Sequence, residues 1–165
     1  MKQLLIVRHA IALEREEATA QGLPDSHRPL TRKGEGRMQA IAKQLHTLLP
    51  EPASLLCSPY LRTRQTAAIL ATQWPLFPRD CQALAPGGDA GELLQQLASL
   101  PGPVVLVGHE PDLSEFIGLL LCGQARSFVR LKKGGAALLH LEEPIHPGKA
   151  ELQWQLNPKQ LLTKN

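Results

Sequence analysis

Cysteine is scarce in this chain. There are three, Cys57, Cys81 and Cys122, an odd number with no Cys-x-x-Cys pair. That pattern gives no disulfide framework, and the expected setting is reduced and cytoplasmic. Cys57 reads as a small buried hydrophobe. Long apolar runs are also missing. Nothing approaches the roughly 18 residues that a membrane helix needs. The apolar run near the N-terminus is too short for a secretory leader, and no small-residue cleavage site follows it. Basic runs are missing too. Net charge is +3, from 18 basic and 15 acidic residues. That is too mild for a nucleic-acid binder and compatible with a small anionic substrate. No repeat, low-complexity tract or linker interrupts the chain. With 165 residues, 43% hydrophobic and 20% charged, the expectation is one globular domain spanning residues 1–165.

What is present is a set of short buried strands. Leu4-Leu5-Ile6-Val7 and Val104-Val105-Leu106-Val107 are unbroken apolar runs, as in strands buried on both faces of a parallel sheet. Ser54 to Cys57 is a shorter run of the same kind. Met38, Ile41, Ala42, Leu45 and Leu49 recur at helical spacing, with Thr31 as N-cap and Pro50 as stop. Ser58-Pro59 reads as a second helix start. Between Ala10 and Pro29 lies a long polar stretch, read as a functional loop. The tail changes character: Phe128–Leu131, Ala136–Leu141 and Glu151–Leu156 read as strands. The last alternates like an exposed antiparallel edge. The fold class expected is α/β: three layers, α/β/α, with a mainly parallel central sheet and antiparallel edge strands.

Chemistry gathers at the strand ends. The first strand ends in Arg8-His9. The second runs into Arg62, in the first turn of its helix. The fourth element ends in Gly108-His109. In a parallel sheet these ends face one side, where such sheets bind ligands. An arginine buried there is costly unless an anion meets it. Its planar fork suits phosphate oxygens, and helix N-termini add positive potential. A neutral His9 can attack phosphorus, and the arginines can neutralise the equatorial oxygens. His109 is expected to donate a further hydrogen bond, as imidazolium. No metal or other cofactor is expected, because permanent cations line the site. Glu110 and Asp112 read as helix-terminus residues.

These residues belong to longer motifs: Val7-Arg8-His9-Ala10, Arg28-Pro29-Leu30-Thr31-x-x-Gly34, Ser58-Pro59-Tyr60-Leu61-Arg62-x-x-Gln65-Thr66, Leu84-x-Pro86-x-Gly88-Asp89 and Val107-Gly108-His109-Glu110-Pro111. Together they resemble the histidine phosphatase superfamily, the phosphoglycerate-mutase-like proteins, across essentially the whole chain. The resemblance is strongest to the short bacterial branch, the SixA-type phosphohistidine phosphatases. It implies a phosphorylated nucleophile at His9, and a phosphate pocket of Arg8, Arg62 and His109, with Arg28 nearby. It also implies a phosphohistidine-bearing protein as partner, with neither nucleic acid nor membrane. One departure is Ala10, where the superfamily usually has glycine.

The proton donor is the open question. Asp89 is the acid the connector offers, yet the preferred reading for it is a helix cap. Weak acid machinery suits an imidazole leaving group, whose unperturbed pKa is about 6.5, better than an alkoxide. The alternatives are a phosphomonoesterase acting on a small metabolite, and a non-catalytic phosphate or phosphoprotein-binding module. His27, His46, His140 and His146 need no function. Lys132-Lys133 reads as a solvated turn, with an acidic partner protein as the other possibility. Trp74 and Trp154 read as packing residues.

Overall fold

The computed structural model describes residues 1–163. Its centre is a six-stranded sheet of order β3-β2-β4-β1-β5-β6. The strands are β1 (Lys2–Arg8), β2 (Ser54–Cys57), β3 (Arg79–Asp80), β4 (Val104–Gly108), β5 (Ala136–Leu141) and β6 (Glu151–Leu156). β3, β2, β4 and β1 run parallel, while β5 and β6 close one edge with antiparallel pairing. The expected three-layer α/β/α class is what the chain adopts.

Side-chain alternation divides the core in two. Leu5, Val7, Leu55, Val105 and Val107 face α2 (Arg32–Leu48) and α3 (Leu61–Leu70). Leu4, Ile6, Leu56, Val104 and Leu106 face α4 (Ala90–Ser99) and α5 (Asp112–Cys122). Successive side chains on a strand point to opposite faces, so only continuous apolar runs can serve both layers. Each fully buried Leu, Ile or Val contributes about 1.5–3 kcal/mol. Trp74 is buried in the first cluster, as expected, and its indole N–H donates to the Leu49 carbonyl at 2.8 Å. Among the described residues no helix is long and apolar enough to cross a membrane.

Several local expectations need correction. The polar stretch after Ala10 is not all loop. It holds α1 (Arg15–Ala20) and a 3-10 turn at Asp25–His27. α1 buries only Ala18, so it carries no apolar period for the eye to find. Phe128–Leu131 is not a strand. Both edges of β5 are taken by β1 and β6, and the Leu131 carbonyl accepts from the Arg8 side chain instead of from a strand. The short β3 and the four-residue α6 (Pro158–Leu161) went unforeseen.

The strand ends are brought into step by register. Val7, Val107 and Cys57 lie in one row across β1, β4 and β2. Arg8, Gly108 and Ser58 therefore stand at one level, and His9 and His109 follow one residue later. The connections above them are pinned by residues of the motifs. The Thr66 hydroxyl accepts from the Ala10 N–H at 3.0 Å, and Gln65 Oε1 from the Leu30 N–H at 2.7 Å. Thr31 caps α2, its hydroxyl accepting from the Gly34 N–H at 2.9 Å. Gly34 lies against the loop that follows β1: a Cβ there would stand 2.1 Å from the Ile11 carbonyl oxygen. Gly34→Ala is expected to lower stability by about 1–3 kcal/mol, because backbone must move to admit the methyl. Urea unfolding measures it; an unchanged midpoint would refute the close approach.

Candidate active site

The carboxyl ends of β1, β2 and β4 open into a cavity of about 410 Å³. Arg8, His9, Arg28, Arg62 and His109 all line it, so the structure gathers every residue expected there except Asp89. His9, Arg28, Arg62 and His109 are buried, between 2% and 8% exposed. Arg8 is half-buried, its Nη1 donating to the Leu131 carbonyl at 2.9 Å. Arg8 Nε, Arg62 Nε and His109 Nδ1 are buried and have no hydrogen-bond partner among the described residues. Burial of two guanidinium groups with orphaned N–H groups is unfavourable unless an oxyanion completes them.

The neighbours of His9 fix its tautomer and its charge. Its Nδ1 lies 2.7 Å from the Ala10 carbonyl oxygen. A carbonyl only accepts, so Nδ1 carries the proton and Nε2 keeps its lone pair. Burial pushes the imidazole pKa down to about 3, against the Ala10 hydrogen bond, and the charges of His109, Arg62 and Arg8 push the same way. The ring is thus neutral at pH 7 and able to attack phosphorus.

His109 faces it, with ring centroids 5.4 Å apart. Burial, then Arg62, lowers its pKa to about 3 as well. In the free protein His109 is therefore neutral, whereas the expected imidazolium concerns the site with its anion bound. It still has a donor to offer. Its Nε2 lies 2.8 Å from the Ser58 hydroxyl, which accepts from the Tyr60 N–H at 3.2 Å. With the Ser58 O–H donated to Nε2, the His109 proton sits on Nδ1, the atom with no partner. Ser58 was expected as the N-cap of α3. That helix starts later, at Leu61 with Tyr60 as its cap, which frees the serine for His109. Tyr60 adds its ring edge-on to His109 and beneath the Arg62 guanidinium.

Asp25 is the residue that sequence reasoning missed. Its carboxylate accepts from Arg28 Nε at 2.8 Å and from Arg62 Nη2 at 3.3 Å. Its backbone carbonyl accepts from Arg62 Nη1 at 2.8 Å. Partial burial opposes its ionisation, but hydrogen bonds and charge from Arg28 and Arg62 hold the carboxyl below the usual range. Asp25 thus aims both arginines. Its three-residue spacing from Arg28 was the available signal.

The comparisons with known proteins agree with this geometry. Residues 4–85 match the family model described as histidine phosphatase superfamily, branch 1. An uncharacterized protein of Picosynechococcus sp. (strain ATCC 27264 / PCC 7002 / PR-6) is 41% identical over 138 residues, which is 81% of each chain. The structure of the protein histidine phosphatase SixA complexed with tungstate superposes with a TM-score of 0.81 at 26% identity, covering 96% of this chain and 99% of that one. The candidate phosphohistidine phosphatase SixA of Nakamurella multipartitia gives 0.74 at 26% identity, over 94% and 95% of the two chains. The chain belongs to the histidine phosphatase superfamily.

Within that superfamily, and in its SixA-type branch, Ala10 is no defect. Among the described residues no residue other than glycine has positive φ, so the backbone at Ala10 makes no demand for glycine. Its methyl is buried in the core below α2 and α3. The phosphatase site has little to offer as an acid. Asp89 does not line the cavity; it caps α4, accepting from the Gly91 N–H at 2.7 Å and the Glu92 N–H at 3.2 Å. Glu110 does line it, but its oxygens accept from Ser114 and the Leu131 N–H. Glu14 and Glu16 are exposed on the rim. Among the described residues no group of three His, Cys, Asp or Glu could hold a metal ion. Burial raises the Cys57 thiol to about 12, so it is no nucleophile.

The histidine states are directly testable. Both rings are expected to protonate only as pH falls toward about 3, well below the ordinary 6.5. The unfolded chain takes up these protons first, so stability falls as pH drops from about 6.5 toward 3. NMR titration of ring signals assigned through His9→Gln and His109→Gln measures both. Titration of either ring near 6.5 would refute the neutral assignment.

Proposed function

We propose that this phosphatase hydrolyses phosphohistidine on a protein, through a covalent phosphohistidine at His9. The observation that carries the reading is a neutral imidazole with a free Nε2, among buried arginines, in a cavity with no committed proton donor.

In the first step His9 Nε2 attacks phosphorus, and the bond from phosphorus to the substrate's imidazole nitrogen breaks. The leaving imidazole takes a proton from solvent. Arg8 and Arg62 neutralise the equatorial oxygens as charge spreads over them, and His109 Nδ1–H donates to one of them. In the second step water attacks the phosphoryl group on His9. Inorganic phosphate leaves and the neutral imidazole returns.

The choice of phosphohistidine follows from the leaving group. An alkoxide needs a proton delivered in the transition state. An imidazole does not, because its own pKa lies near neutrality. Asp89 is engaged as a cap and Glu110 as an acceptor, so the site is better matched to a phosphoramidate than to a sugar phosphate. The family resemblance supports the same choice, since SixA relatives are named for that activity.

The test is turnover of a phosphohistidine protein, of a sugar phosphate and of an aryl phosphate, with rapid acid-free trapping of the phosphoenzyme. His9→Ala is expected to abolish the phosphoenzyme and to lower kcat/KM by at least about a thousandfold. Arg62→Ala is expected to lower it by about a hundredfold. Comparable turnover of sugar phosphates would refute the substrate preference. Phosphate binding without turnover of anything would make the protein a binding module.

A further inference from the structure

We propose that a basic groove beside the phosphate cavity docks an acidic segment of the phosphohistidine protein, an inference that rests on the substrate reading above. The groove has a volume of about 520 Å³ and is continuous with the cavity, sharing Arg8 and Lys133 with it. Arg37 of α2, Lys132 of the loop before β5 and Lys159 of α6 supply its other charges. These residues come from separate parts of the chain, so their convergence is a product of the fold and not of a basic run.

Two features fit a protein segment better than a second small anion. The first is solvation. Lys132 and Lys159 are exposed, and Arg37 and Lys133 are half-exposed, unlike the buried arginines of the phosphate cavity. Exposed charges bind weakly one by one and through salt-sensitive, long-range attraction, which suits several carboxylates spread along a chain. The second is the side-chain type. Lysine is a compact point charge on a flexible stem, suited to mobile carboxylates; a dedicated phosphate site would favour the arginine fork.

The groove's cations stand apart from the described acids. Among the described residues, Arg37, Lys132, Lys133 and Lys159 have no carboxylate within 4.0 Å. The nearby acids stand elsewhere: Glu14 and Glu16 line the cavity but not the groove. The rim is thus mixed in charge on the α1 side, where Arg15 stands between Glu14 and Glu16, and basic on the side of the loop before β5 and α6. An acidic partner segment is attracted to the second side, which sets the direction in which the partner lies across the site.

The experiment compares the unchanged protein with the Lys132→Glu/Lys159→Glu double variant. Both side chains are exposed and stand outside the phosphate cavity. The substrates are a phosphohistidine peptide flanked by glutamates, the same peptide flanked by serines, and N-phosphoimidazole. The double variant is expected to lose about tenfold in kcat/KM on the acidic peptide, through KM, and to stay within about twofold on the other substrates. Raising ionic strength is expected to erase the unchanged protein's preference for the acidic peptide. Equal turnover of the two peptides by the unchanged protein would overturn docking alone. An equal loss on all substrates would also overturn it, as an effect on the cavity. No turnover of any substrate by the unchanged protein would overturn the phosphohistidine reading and docking together.

Discussion

The organising constraint is the burial of more positive charge than the chain neutralises. Arg8, Arg28 and Arg62 converge at the carboxyl end of the sheet, and Arg28 and Arg62 are almost wholly enclosed. Asp25 and Glu110 are the acids set against them, and each is shared. Asp25 divides its oxygens between two arginines, and Glu110 spends its oxygens on Ser114 and Leu131. Orphaned guanidinium N–H groups remain. A deficit of this kind would be a flaw in a structural core. At a ligand site it is affinity for an oxyanion, held ready by the fold.

The protonation states follow from the same excess. In a buried site already positive, a further proton on either imidazole is doubly unfavourable. His9 therefore stays a nucleophile at pH values where a free histidine is partly charged. Ala10 completes the arrangement. Its carbonyl fixes the His9 tautomer and its N–H is held by Thr66, so one small residue ties the nucleophile to α3. Ser58 does the same for His109 from the end of β2.

Which features were legible in the sequence follows from this division of labour. The apolar runs at Leu4–Val7 and Val104–Val107 declared themselves as buried strands, and their ends located Arg8, His9 and His109. Arg62 was found because its helix follows a strand. These are properties of local order along the chain. The site contacts of Asp25 to Arg62 and of Ser58 to His109 were not legible for the opposite reason. They span 37 and 51 residues respectively, which no periodicity records. α1 was missed because a helix that buries a single alanine leaves no apolar stripe. Phe128–Leu131 misled because its composition favours a strand, while both neighbours of β5 were already in place and the Leu131 carbonyl is engaged by Arg8.

The charge excess also constrains what the substrate does on arrival. A phosphoryl dianion brings the negative charge that the cavity lacks, so it relieves the cost of burying Arg8 and Arg62 and the penalty on a protonated imidazole at once. Binding and proton uptake are then linked: the occupied site holds a proton on His109 more readily than the empty one. A histidine neutral in the free protein can thereby become the better donor when the anion is in place. A site that started positive throughout would lack that reserve. Keeping His9 neutral throughout, and His109 neutral until the anion arrives, is what lets one pocket both attack phosphorus and hold the charge on its oxygens.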